Sequence, residues 1–184
     1  MEVVNIRKPE LLGQELDDFI AIAIAPLIDT YEDYRFLVTM CAESIALFEY
    51  GACSLFMARE GNRSLVSACV FDPFNEESGC YHVHHIATYK GYRKKGLGRL
   101  LMNNIIENAN GVSITLESAE SSRIFFEKLG FKVREKTSAD LYAMYLGKLD
   151  NDQFKQLEFK RENLEYYYDR AFNALVRIGL IGDL

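Results

Sequence analysis

YHVHHIATYKGYRKKGLGRLLMNNIIENANG, residues 81–111, carries the reading on which the fold rests. Its first nine residues are rich in β-branched and aromatic types and read as a strand. The loop KGYRKKG follows, and Leu97, Leu100, Leu101, Ile105 and Ile106 then fall on one face of a helix. Asn110 and Gly111, which tolerate the left-handed backbone, end that helix.

Arg93, Lys94, Lys95, Gly96, Leu97 and Gly98 lie where the strand hands over to the helix. A helix start leaves backbone N–H groups unpaired and carries partial positive charge, and glycine there lets a pyrophosphate come close to the chain. Arg93, Lys94, Lys95 and Arg99 add mobile countercharge. A glycine turn before a basic helix end is common in itself; its place between strand and helix is what gives it meaning. ATP and NAD are poorly supported, because no GxxxxGK followed by Ser or Thr occurs and no GxGxxG follows the first strand.

Working outward, EVVNIR (2–7) reads as a first strand, and a helical segment opens at Pro9 and runs towards Pro26. A second helix spans about 31–49 and ends at Gly51. CSLFMARE and SLVSACVF, joined by the turn GNR, read as an antiparallel hairpin, with DPFNEESG as the next loop. After the central helix come a strand VSITLES, a short helix SSRIFFEKLG, and the strands FKVREKT and LYAMYLGKL. This order predicts an α/β domain with a mixed, mostly antiparallel sheet of six to seven strands flanked by helices. In residues 151–181 apolar side chains such as Phe154, Leu164, Phe172 and Leu175 recur at helical spacing, so this extension suits packing on the domain or pairing in a homodimer. The one boundary proposed divides a domain, 1–149, from a helical extension, 150–184.

A chain of 184 residues, 49% of them hydrophobic, can bury a core of one domain plus an appendage. A net charge of −6 and a pI near 5.2 give no general attraction to nucleic acid or an anionic membrane. FIAIAIAPLI (19–28) is too short to cross a bilayer. Cys41, Cys53, Cys69 and Cys80 form no CxxC and the N-terminus lacks a signal-peptide core, so reduced thiols in a cytoplasmic protein are expected.

HIATYKGYRKKGLGRLLMNNII resembles the acetyl-CoA-binding motif of the GNAT superfamily of N-acetyltransferases: Arg or Gln, two residues, Gly, one residue, then Gly or Ala, after the fourth strand. RIFFEKLGFKV (123–133) is similar to the family's later motif, and the strand order extends the likeness over about 1–149. The resemblance implies a GNAT fold and an acetyl group passed directly from acetyl-CoA to a primary amine of a small molecule or peptide. It implies that the backbone of the Ile86, Ala87, Thr88 stretch pairs with the pantetheine arm, with Thr88 where Val is usual. It also implies that Arg93 through Gly98, with Arg99 beside them, hold the pyrophosphate.

Direct transfer to an amine needs a neutral nucleophile, a polarised carbonyl and a proton for the departing thiolate. His82, His84 and His85 are the chain's three histidines, all on the strand before the loop. Strand alternation predicts His82 and His84 on the side of Ile86, and His85 opposite with Val83. By the resemblance, His82 stands where relatives carry a proton-handling Glu or Tyr, so His82 ranks first and His84 second; half-buried strand residues satisfied by neighbours are the plainer reading. The family's usual acid is a Tyr where Phe126 stands, and Ala119 replaces an Asn. Ser121, Ser122, Tyr142, Tyr145 or water is left to supply that proton.

Phe126 also motivates an alternative, a CoA-binding module without turnover. A zinc site is the other rival, since Cys80, His82 and His84 alternate on one strand. No third and fourth ligand set is visible, so no metal is expected. Asp17, Asp18, Asp29, Glu32 and Asp33 would suit a cationic acceptor, although an ordinary solvated face is the favoured reading.

Overall fold

The structure, a computed structural model, describes residues 1–6, 12–29, 33–51, 53–71, 79–149 and 164–182. The expected helix start at Pro9, the loop after Phe71 and the first half of the C-terminal extension lie outside the described residues.

Strands β1 (Glu2–Ile6), β2 (Cys53–Glu60), β3 (Arg63–Phe71), β4 (Tyr81–Thr88), β5 (Ile114–Ser118), β6 (Lys132–Lys136) and β7 (Tyr142–Leu146) form one sheet in the order β1-β2-β3-β4-β5-β7-β6. Every neighbouring pair is antiparallel except β4–β5. Helices α1 (Gln14–Ile24), α2 (Tyr34–Glu49) and α5 (Leu164–Arg177) share one core, while α3 (Leu97–Ala109) and α4 (Glu120–Glu127) contribute to the other.

The alternation of β2 divides these two layers. Leu55 and Met57 belong to the core with α1, α2 and α5, whereas Phe56 and Ala58 join the core that includes Leu101, Met102 and Ile105 of α3. A short 3-10 turn, Ala25–Asp29, carries the chain through Pro26 rather than stopping it there. Asp33 caps α2 by accepting the Arg35 N–H at 2.9 Å.

Helix α5 completes the first core. Leu164, Tyr167, Ala171, Ala174 and Leu175 are buried against α1 and α2, so the described part of the extension packs on the domain. Arg170 fixes the register: its guanidinium donates to both carboxylate oxygens of Asp17 at 2.6 and 3.0 Å and lies 2.6 Å from Glu49. Asp17 and Arg170 side chains are only 6% and 14% exposed, so little water competes for these bonds. An open cleft of about 320 Å³ lies over this cluster, but its Arg170 and Arg177 are already matched by Asp17, Glu49 and Asp18.

Arg170→Ala strands two carboxylates in this shielded place, and breaking a buried pair from one side costs about 3–5 kcal/mol. Urea denaturation should register a loss of that order with the m-value unchanged; a loss below about 1 kcal/mol would mean that solvent screens the cluster.

Candidate functional site

Strand β4 delivers the chain to the site. After Thr88 the Tyr89 amide donates to Leu65 O, a 3-10 turn runs over Lys90–Tyr92, and the Arg93 amide closes on Lys90 O at 3.3 Å. Lys94 then takes φ 61° and Gly96 φ 81°, turning the backbone into the first residue of α3. No side chain caps that helix start. Buried Leu97, Leu101 and Ile105 hold α3 on the sheet, while Lys94, Lys95 and Arg99 stay exposed. The start of α3 therefore has its first-turn amides without a capping side chain, beside three solvated cations.

Arg93 departs from its expected part as mobile countercharge. Its Nε donates to Thr88 O at 3.0 Å and its Nη2 to Asp29 O at 3.1 Å, while the Asp29 carboxylate accepts the Lys90 amide at 2.5 Å. The side chain thus straps the end of β4 to the 3-10 turn before α2. Gly98 lies against α4: a β-carbon there would sit 3.5 Å from Phe125 Cζ and 3.7 Å from Thr88 Oγ1.

Strands β4 and β5 pair over three residues, Tyr81–Val83 with Ile114–Leu116, and then part. The histidines straddle that point. Cys69 faces His85 across β3–β4 but Val70 faces Val83, so His84 is one extra residue in β4, a bulge. The bulge overturns the expected alternation: Val83 and Ile86 both pack into the core that includes α3, although they stand three positions apart and a regular strand would turn them to opposite faces. His84 instead reaches towards α2, its Nε2 3.3 Å from Glu43 Oε2.

Each histidine has its own surroundings. His82 Nδ1 lies 2.9 Å from Thr115 Oγ1, and burial, with the charge of His84, pushes its pKa down to about 4. His85 is 8% exposed, neither ring nitrogen has a partner among the described residues, and burial, then His84, lowers its pKa to about 3. Burial also opposes a charge on His84, but the Glu43 hydrogen bond and the nearby charges of Cys69 and Glu43 outweigh it and raise its pKa. Among the three, His84 is the one whose protonated form is favoured.

Cys80, His82 and His84 do not converge as ligands: Cys80 Sγ and His82 both approach Thr115, whereas His84 turns to Glu43. Among the described residues no group of three or more His, Cys, Asp or Glu is placed to hold a metal ion. Phe126 is buried at 4% and stacks edge-on with Phe125 and Phe131. Thr115 faces Tyr145 across β5–β7, which puts the Tyr145 hydroxyl on the strand face of His82 and Thr115. The acidic residues of α1 and α2 are engaged: Asp17 with Arg170, Asp18 with Arg177, Asp29 with Lys90 and Asp33 with Arg35. Glu32 lies outside the described residues. Tyr167 donates to Glu49 and Tyr168 approaches Thr39 at 3.4 Å, so both join α5 to α2.

A cradle of backbone amides at a helix start thus lies beside a strand that parts from its parallel neighbour. The chain belongs to the acetyltransferase (GNAT) family, whose profile matches residues 17–131. Solved structures with this fold include a GNAT-family protein from Desulfovibrio desulfuricans, 20% identical with a TM-score of 0.62, over 79% of this chain and 99% of that one. An acyl-CoA N-acyltransferase from Pseudomonas aeruginosa is 16% identical at TM-score 0.60, over 79% of this chain and 99% of that one. PaiA N-acetyltransferase from Thermoplasma acidophilum, solved with coenzyme A, is 16% identical at TM-score 0.56, covering 80% and 100%. No sequence among the curated proteins matches this chain.

Two expectations follow. His82 and His85 are held neutral when folded, so below about pH 6.5 the unfolded chain binds protons that the native one refuses. Stability should fall by about 1.4 kcal/mol per pH unit for each, down to about pH 4 for His82, with His84 working in the opposite sense at the top of the window. His85→Leu should flatten this slope between pH 6.5 and 4 in urea titrations, and an unchanged slope contradicts the assignment. Gly96→Val puts a branched side chain at φ 81° on the open face of the cradle. Calorimetry should show coenzyme A affinity falling at least about tenfold, roughly 1.4 kcal/mol.

Proposed function

We propose that this protein transfers the acetyl group of acetyl-CoA to a primary amine, by direct attack, with a histidine of β4 handling the amine proton. The observation that carries the reading is the uncapped α3 start with Lys94 and Gly96 both at positive φ, placed at the end of a strand that separates from its neighbour. In this reading the amides of Lys94 through Gly98 hold the pyrophosphate, Lys95 and Arg99 lend charge, and the backbone of Ile86, Ala87 and Thr88 takes the pantetheine arm. Arg93 contributes by shaping the turn.

The amine's lone pair attacks the thioester carbon, the C–S bond breaks, and the nitrogen's proton passes to histidine while the coenzyme A thiolate is reprotonated from water or Tyr145. His84 is better suited than His82 as acceptor of that proton, because its partner Glu43 favours the protonated ring whereas burial disfavours it at His82. The reading extends to a cytoplasmic protein without nucleic-acid or membrane partners. Four buried free thiols and a net charge of −6 support it, and no helix among the described residues is long and apolar enough to cross a membrane.

A thiol-release assay with acetyl-CoA against small amines, amino acids, peptides and aminoglycosides tests the reading. His84→Ala should lower kcat by about 10²–10⁴ while coenzyme A affinity stays within twofold, and His82→Ala should cost less. Tight acetyl-CoA binding with no release on any amine would favour the non-catalytic module that the Phe125–Phe126 pair, lacking a hydroxyl, suggests.

A further inference from the structure

Resting on that reading, we infer that Asp29 is a positioning residue for the cofactor cradle, acting through the Lys90 amide. Ala25, Pro26 and Leu27 of the first 3-10 turn are buried, and two residues further on the exposed Asp29 reaches across to the loop that follows β4.

Asp29 holds that loop by two separate groups. Its carboxylate Oδ2 accepts the Lys90 N–H at 2.5 Å, and its backbone carbonyl accepts Arg93 Nη2 at 3.1 Å. Lys90 opens the turn Lys90–Tyr92, and the residue before it, Tyr89, supplies no side-chain cap. The first amides of such a turn find no partner within it, so a carboxylate from another part of the chain takes the place of a local cap. The Tyr92 and Arg93 amides then close on Tyr89 O and Lys90 O at 2.8 and 3.3 Å, and the chain passes through Lys94 at φ 61° to Gly96 at φ 81°.

This anchorage matters because the core stops short of the cradle. Leu97 is buried and fixes α3, but Arg93, Lys94, Lys95 and Gly96 are all exposed. On the β3 side Arg63 lies over the rings of Tyr89 and Tyr92 at 4.7 and 5.8 Å. A stacked cation tolerates sliding, whereas a short bond from an N–H to a carboxylate fixes a direction.

The charge of Asp29 gives the inference a testable sign. A carboxylate close to Lys90, Arg93, Lys94 and Lys95 offsets the field that draws an anionic cofactor, so by charge alone its removal tightens binding. Positioning requires the reverse.

Calorimetry with coenzyme A on the full chain, at low and at high salt, separates the two. Asp29→Ala should weaken binding about threefold to tenfold, the worth of one hydrogen bond, and Asp29→Asn, whose amide oxygen still accepts the Lys90 N–H, should stay within about twofold of wild type. The deficit of Asp29→Ala should persist at high salt, where charge effects are screened. Asp29→Ala protein that binds as tightly as wild type, or more tightly, overturns the inference, as does Asp29→Asn protein as weak as Asp29→Ala. Amide hydrogen exchange in the cofactor-free protein gives a second readout: residues 90–96 should exchange faster in Asp29→Ala and at the wild-type rate in Asp29→Asn, and unchanged exchange in Asp29→Ala contradicts the assignment. Wild-type protein that binds no coenzyme A defeats the cofactor reading instead, and the exchange rates then decide by themselves whether Asp29 sets the loop.

Discussion

A parallel strand pair that holds for three residues and then separates is the constraint around which this molecule is arranged. Parallel pairing requires a crossover, and here α3 supplies it between β4 and β5. Because one short turn joins β4 to α3, the crossover brings the helix start close to the end of the strand that parts from β5. Had β4 and β5 paired along their full length, the same glycine turn would have no opening beside it. Buried Leu97, Leu101, Met102 and Ile105 hold the crossover in place, so the cradle is set by the core rather than by its own flexible cations.

Much of this was legible in residues 81–133. The switch from strand to helical periodicity and the placement of Gly96 located the cradle, because local propensity and turn chemistry agree there. The C-terminal motif likewise placed α4 and β6. What escaped was set by non-local register. A period-two count cannot see an inserted residue, and the bulge at His84 therefore brought Ile86 to the face of Val83. Likewise Arg93 read as one of a run of cations, yet its partners are Asp29 and Thr88, and no sequence spacing announces Asp29 as its anchor.

Glu43 left a faint signal: a carboxylate amid the apolar residues of α2 is costly to shield unless something pairs with it. The partner could not be named, because only the fold brings residue 84 opposite residue 43. The acids of the first two helices read more simply as a solvated face than as a lure for a cationic acceptor, and Asp17, Asp18, Asp29 and Asp33 each find an arginine or a backbone amide of the same chain.

Those commitments bear on the site indirectly. A contact between side chains of different elements keeps its geometry only if the helix that carries one partner is held still, to within about half an ångström. Helix α2 carries Glu43 and, further along, Glu49, which Arg170 and Tyr167 of α5 engage. Arg170 in turn clamps Asp17 of α1, so three helices are tied at one point on the same side of the sheet as the Glu43–His84 pair. The C-terminal helix is thereby more than a cover for apolar surface. It braces the element whose carboxylate meets the bulged histidine.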